Sequence, residues 1–242
     1  NGILVRGSNL MIGWDTAPFP EVSGANPAPP PSNTINGNGL NGIEVASGSG
    51  NTILSNAIFK NGAATAAGAV GKGISLSGGN DKQVAPEIRK VVWDHAAGRV
   101  RVEVYVPADG EFFVQLFRNL PTDEEGVPPV DVGGFEGRAL VAPIGRGQPL
   151  APGKPVLAGV GRVTGKAVAT LEIPASSLVA GDWLTATATK LVGNIPGSTS
   201  EFSGAVQVVA YPTLAVGGDS YGATWNPEYV YSASPLGATS IR

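Results

Sequence analysis

The sequence predicts an all-β protein built as a short parallel β-helix, an immunoglobulin-like antiparallel β-sandwich and an extended C-terminal tail. Three observations carry this. No segment sustains a helical period, and the best helical candidate, residues 63–70, is short and bounded by Gly. The motif Gly-Ile-x-Val/Leu recurs at Gly2-Ile3-Leu4-Val5, Gly42-Ile43-Glu44-Val45 and Gly73-Ile74-Ser75-Leu76. Arg99-Val100-Arg101-Val102-Glu103-Val104-Tyr105-Val106 alternates Val with charged or polar residues, the pattern of a half-buried strand.

Residues 1–85 read as β-helix rungs. Between the three Gly-Ile motifs lie Asn9-Leu10-Met11-Ile12, Asn33-Thr34-Ile35-Asn36 and Asn51-Thr52-Ile53-Leu54-Ser55-Asn56-Ala57-Ile58. Strands of a few residues, with inward Ile, Val and Leu stacking on the next rung, need tight corners. Gly and Asn supply them, because Gly takes positive φ freely and Asn tolerates it. Stacked Asn amides are also expected to hydrogen-bond along the solenoid axis. Residues 15–32 hold Pro18, Pro20, Pro27, Pro29, Pro30 and Pro31, which forbid ladder pairing and predict a loop inserted at one corner. Residues 62–71 form a second, Ala/Gly-rich excursion.

Residues 86–209 read as the sandwich, with the junction at Gln83-Val84-Ala85-Pro86. Strands are expected at 87–94, 99–106 and 111–119, the last with Phe112, Val114 and Leu116 on one face. Pro107-Ala108-Asp109-Gly110 is the turn between the latter two. Further strands are expected at 155–163, 167–173, 183–191 and 205–209. About seven strands in this length suit an immunoglobulin-like sandwich. Residues 210–242 read as the extended tail.

Several of these runs carry a resemblance. Asn51-Thr52-Ile53, Asn56-Ala57-Ile58-Phe59-Lys60-Asn61-Gly62 and Gly73-Ile74-Ser75-Leu76 resemble the closing rungs of bacterial right-handed parallel β-helix repeat proteins. In that family such a run is often followed by Pro-x-Ile opening an Ig-like domain, here Pro86-Glu87-Ile88. The stretch from Glu111 to Asn119, Gly181-Asp182-Trp183-Leu184-Thr185-Ala186-Thr187-Ala188-Thr189 and Ser200-Glu201-Phe202-Ser203 also resemble the family. The resemblance spans roughly residues 33–209. It implies a right-handed coil and a secreted or cell-surface location. The chain departs from the family in having about three rungs and in the insertion at 15–32.

Composition excludes several functions. With 16 basic and 19 acidic residues in 242, the net charge is −3, which argues against a strongly basic nucleic-acid binder. The chain has no Cys and one His, His95, so thiolate nucleophiles, disulfides and multi-His metal sites are excluded. No apolar run approaches the ~20 residues of a transmembrane helix. Met11 is the only Met, so Asn1 is read as the start of a processed product or fragment.

The chemical motifs are weak. Gly218-Asp219-Ser220-Tyr221-Gly222 has the spacing of a nucleophile elbow, but Ala223-Thr224-Trp225-Asn226-Pro227 is no helix start. Gly37-Asn38-Gly39-Leu40-Asn41-Gly42 has the spacing of a dinucleotide fingerprint, which requires a following helix and reads better as a β-helix corner. Asp94-His95 reads as a hairpin turn rather than half of an acid–base pair. Asp123-Glu124-Glu125 with Asp131 reads as a solvated acidic loop, with a weak Ca²⁺ site as the alternative. Residues 1–85 offer only Asp15, Glu21, Glu44 and Asp81 as acids, scattered along the rungs, so no lyase or hydrolase constellation converges. No catalytic residue, cofactor or metal ligand is assigned.

The functional expectation is a non-enzymatic extracellular structural protein, a subunit of a surface layer, filament or sheath. The chain begins in mid-rung, so Ile3 and Val5 lie at an uncapped solenoid end that either a missing upstream segment or another chain covers. The tail carries Tyr211, Trp225, Tyr229, Val230 and Tyr231 and suits strand addition to a neighbour. Its deletion is expected to abolish assembly while leaving a folded monomer. The Thr face of residues 183–189 is expected to offer a lightly hydrated lateral contact. The alternatives are an adhesive module that binds cell-surface polysaccharide through Tyr211, Tyr221, Trp225, Tyr229 and Tyr231 or through the Pro-rich loop, and a fragment of a β-helix polysaccharide lyase or hydrolase.

Overall fold

The computed structural model describes residues 1–13, 33–62, 71–94, 98–119, 139–140, 160–175, 178 and 181–209. It is all-β, with a short 3₁₀ turn at Asn80–Lys82. The described residues all belong to one compact unit.

Short strands come first: β1 (Ile3–Val5), β2 (Met11–Gly13), β3 (Thr34–Asn36), β4 (Ile43–Val45), β5 (Thr52–Leu54), β6 (Ala57–Phe59) and β7 (Ile74–Ser75). They pair in parallel and in chain order. β1 lies beside β4 with Ile3 opposite Ile43, and β4 beside β7 with Ile43 opposite Ile74. β2 pairs with β5 and β3 with β6, placing Ile12 opposite Ile53 and Ile35 opposite Ile58. The strands thus form three tiers: β1–β3, β4–β6, and β7 with the 3₁₀ turn. The Gly-Ile repeat is the stacked column Ile3, Ile43, Ile74, and it joins Val5, Val45, Leu76, Ile53 and Ile58 in one apolar cluster. Each fully buried Ile or Val contributes on the order of 2 kcal/mol of transfer free energy.

The corners follow the expected Asn and Gly chemistry. Asn51 donates from Nδ2 to Gly7 O (2.8 Å) and accepts from Leu10 N. Asn80 repeats this one tier on, accepting from Asn51 N (2.9 Å) and donating to Asn51 O (2.7 Å). Asn33 donates to Asn56 Oδ1 and Asn38 to Asn61 Oδ1, while Asn56 and Asn61 donate back to Ile12 O and Ile35 O. Ser55, Lys60 and Asn80 hold the left-handed conformation that such corners need. Gly48 (φ 85°) is required twice over, since a Cβ there would lie 1.9 Å from Gly7 O.

The antiparallel part comprises β8 (Glu87–Asp94), β9 (Arg99–Tyr105), β10 (Glu111–Asn119), β11 (Ala139–Leu140), β12 (Val160–Thr164), β13 (Val168–Pro174), β14 (Trp183–Val192), β15 (Ile195–Thr199) and β16 (Val206–Gln207). One sheet runs β13-β9-β8. The other runs β11-β10-β14-β15, with β12 also on β10 and β16 also on β14. Val100, Val102 and Val104 of β9 pack against Phe112, Val114 and Leu116 of β10 and Leu184, Ala186 and Ala188 of β14. The alternate residues of β8, β9 and β13 carry ion pairs: Lys90 with Glu103, and Arg99 and Arg101 with Glu172. Asp94 pairs with Arg99 across the β8–β9 hairpin, so the Asp94-His95 motif falls at a hairpin as expected, with His95 itself outside the described residues.

β10 and β14 are buried on both faces, and this joins the two parts. Phe117 of β10 meets Phe202 edge-on (centroids 5.2 Å apart), and both belong to the tier cluster. Phe113 packs with Leu54 and Leu191. Gln115 accepts from Ser55 N (3.1 Å) and donates to Ser55 Oγ (3.2 Å). β15 lies on β5: Thr199 accepts from Ile53 N, its N–H donates to Asn51 O, and Thr52 Oγ1 donates to Gly197 O. The Thr face of β14 is therefore covered within the chain. Thr185 and Thr189 are wholly buried, Thr189 bonded to Thr199 and Thr185 to Asn119, so this face offers no lateral contact.

Candidate assembly surface

Three short strands with one partner each define the candidate surface. Among the described residues, β1 pairs only with β4, β2 only with β5 and β3 only with β6. The edge of the first tier that faces away from the second has no described strand upon it.

The phase of the backbone groups follows from the bonds on the paired side. Ile3 N donates to Gly42 O and Val5 O accepts from Ala46 N, so residues 3 and 5 face the second tier. Leu4, between them, turns its N–H and C=O to the open edge, as strand alternation demands. In β2, Leu10 O accepts from Thr52 N, which sets Met11 and Gly13 toward the open edge. In β3, Asn33 O accepts from Ala57 N and Gly37 N donates to Lys60 O, which leaves Thr34 and Asn36 facing outward.

Exposed apolar side chains gather on the same tier. Leu4 (47% exposed), Leu10, Met11 and Leu40 all lie on its strands or corners. In the columns below, Leu4 gives way to Glu44 and Ser75, Leu10 to Asn51 and Asn80, and Met11 to Thr52. Arg6, exposed at the end of β1, is the first tier's one charged side chain among the described residues.

The opposite end of the stack is closed by the chain itself. Glu201 accepts from Leu76 N (2.8 Å) and pairs with Lys72 Nζ (2.6 Å). Asn80 Nδ2 donates to Thr199 O, and Phe117 and Phe202 pack into the apolar column.

Of the residues singled out from sequence, Ile3 is half-buried and Val5 nearly fully buried on this tier. Tyr211, Trp225, Tyr229, Val230 and Tyr231 lie outside the described residues, as do the acidic run 123–131 and the motif at 218–222. Leu4, Leu10, Met11 and Leu40 were not singled out. Their signal is that they interrupt columns which are polar or small in later tiers. The sequence Gly37 to Gly42 leads into strand β4, not a helix, which removes the dinucleotide fingerprint. Among the described residues no three His, Asp or Glu side chains converge on a common point, and no helix is long and apolar enough to cross a membrane. No protein-family model matches the chain, and no curated protein matches its sequence.

Proposed function

We propose that this chain is a non-enzymatic structural subunit that assembles through the open edge of its first tier and through its C-terminal tail. On this reading the tiers are a short right-handed parallel β-helix, the antiparallel part is an Ig-like sandwich that caps it, and the product is a surface layer, filament or sheath outside the cell. The observation that carries the reading is asymmetry among the described residues: one end of the stack is sealed by Glu201, Phe202 and Thr199, while the other presents strand edges with no described strand upon them and Leu4, Leu10, Met11 and Leu40 exposed around them. A strand edge beside exposed apolar side chains is a template for another chain. The extracellular location rests on the resemblance to bacterial β-helix repeat proteins.

Size-exclusion chromatography with light scattering, with negative-stain imaging of the peak, tests the proposal. The 242-residue chain is expected to form long particles or defined high-order oligomers. Removing residues 210–242 is expected to break these down to a small folded species with an unchanged far-UV spectrum. Full-size particles from the truncated chain would remove the tail from the proposal. A monomeric full chain at all concentrations would overturn it.

A further inference from the structure

We infer that Asn38-Gly39 is a self-modification site, at which the Asn38 side-chain amide is lost through a cyclic imide and an aspartate or isoaspartate takes its place. The inference is independent of the assembly reading.

The chain carries five Asn-Gly pairs, all in the tiers: Asn1-Gly2, Asn36-Gly37, Asn38-Gly39, Asn41-Gly42 and Asn61-Gly62. Such a pair is labile because glycine has no side chain to keep its nitrogen away from the asparagine's own Cγ. The attacking nitrogen must also be free to turn and to give up its proton. Stacking of the tiers denies this to four of the five. Gly2 N donates to Asn41 O (3.0 Å), Gly37 N to Lys60 O (3.0 Å), Gly42 N to Lys72 O (2.8 Å) and Gly62 N to Asn38 O (2.7 Å). Gly39 N is the exception, with no hydrogen bond among the described residues. Its peptide unit is tied by the carbonyl alone, Asn38 O accepting from Gly62 N. Gly39 is exposed, and a Cβ built there would meet no described atom within 4 Å.

The chemistry needs only water. Gly39 N loses its proton to solvent base and bonds to Asn38 Cγ. The Cγ–Nδ2 bond breaks, the nitrogen leaves as ammonia, and a succinimide ring remains. Water then opens the ring. Opening at the side-chain carbonyl gives aspartate. Opening at the main-chain carbonyl gives isoaspartate, with the backbone rerouted through Cβ. Nothing is oxidised or reduced.

The position matters because Asn38 links two tiers. Its Nδ2 donates to Asn61 Oδ1 (2.8 Å) and to Asn36 O (3.2 Å). A carboxylate only accepts. Both products therefore deprive two acceptors of their donor and set an anion in its place. Isoaspartate also lengthens the backbone at the residue whose carbonyl receives Gly62 N. The modification loosens this Asn column while the column of Asn51 and Asn80 stands.

Peptide mapping by mass spectrometry tests this on the full chain, kept folded in mildly alkaline buffer, with the same chain in urea as reference. In urea the five pairs are expected to convert at comparable rates. In the folded chain conversion is expected to concentrate at Asn38, the other four pairs keeping their amides, and to slow as the pH is lowered. Gly39→Val meets open space at a backbone outside the left-handed region, and is expected to remove most of the conversion at Asn38. Asn38→Asp, which builds one product directly, is expected to lower the urea midpoint. Asn36→Asp, on an exposed side chain, is expected to leave it in place. Folded-state conversion that is even over the pairs, led by another pair, absent at Asn38 or indifferent to Gly39→Val would overturn the site. A midpoint unmoved by Asn38→Asp would overturn the loosening.

Discussion

Thr187 shows what the junction between the two parts costs. It sits on β14 opposite Gln115, in the layer pressed between sheet and tiers. Gln115 is satisfied by Ser55 and Thr189 by Thr199, but Thr187 Oγ1 is the one buried side-chain polar atom among the described residues without a hydrogen-bond partner. A buried hydroxyl left unpaired loses its hydration and gains nothing in return. Thr187→Val keeps the branched shape and removes the polar atom. It is expected to raise stability by about 1 kcal/mol, measured as a rightward shift of the urea midpoint with an unchanged slope. An unshifted or lowered midpoint would show that the hydroxyl is satisfied in solution. The same residue shows what sequence reading missed. The run of Thr and Ala suggests a lightly hydrated contact with another chain, and only the packing of the tiers and β15 reveals it as interior.

The elements divide by how local their signals are. β1, β4 and β7 were legible because Gly-Ile-x-Val/Leu writes a corner and an inward column in four residues, even though tiers differ in length: Asn1 and Asn41 are 40 residues apart, Asn33 and Asn56 only 23. β9 and β10 were legible from alternation. β15 was not anticipated, because Pro196 and Gly197 are poor strand residues. They are tolerated at the sheet edge, where their carbonyls accept from Thr52 Oγ1 rather than from a ladder partner. The joining of the two parts was missed for a related reason. The sequence assigns Phe112, Val114 and Leu116 to a buried face, which holds, but Phe113 and Phe117 on the other face already mark a second burial. Phe117 and Phe202, both from the antiparallel part, meet within the tier cluster. Each Phe→Ala substitution is expected to cost about 3–5 kcal/mol, and the double variant less than the sum, with a coupling of about 0.5–1.5 kcal/mol from the edge-on pair. Strict additivity in a double-mutant cycle would show that the rings do not act together.

At the scale of the molecule, the two parts share one interior. Ser55, Asn51, Ile53, Leu76 and Asn80 of the tiers bond directly to Gln115, Thr199 and Glu201. A short stack exposes much of its surface, and three tiers alone bury little; the sandwich supplies the missing wall. Residues 1–211 are therefore expected to unfold in a single calorimetric transition, with van't Hoff and calorimetric enthalpies in agreement. Two resolved transitions would show that the tiers and the sandwich are independent. What the sequence could not reveal at this scale is which end of the stack is sealed. That depends on Glu201 and Phe202, which lie more than a hundred residues from the strands they close.

The brevity of the parallel strands has a mechanical consequence. A tension applied through the first tier meets ladders of three residues, loaded so that their bonds part a few at a time, as a zip does. The same tension reaches β10 and β14 as a nine-residue antiparallel overlap whose bonds must slide and fail together. The tiers would then yield first and gradually, paying out chain at low force while the sandwich holds. A chain built this way gives way by small increments before its antiparallel part fails.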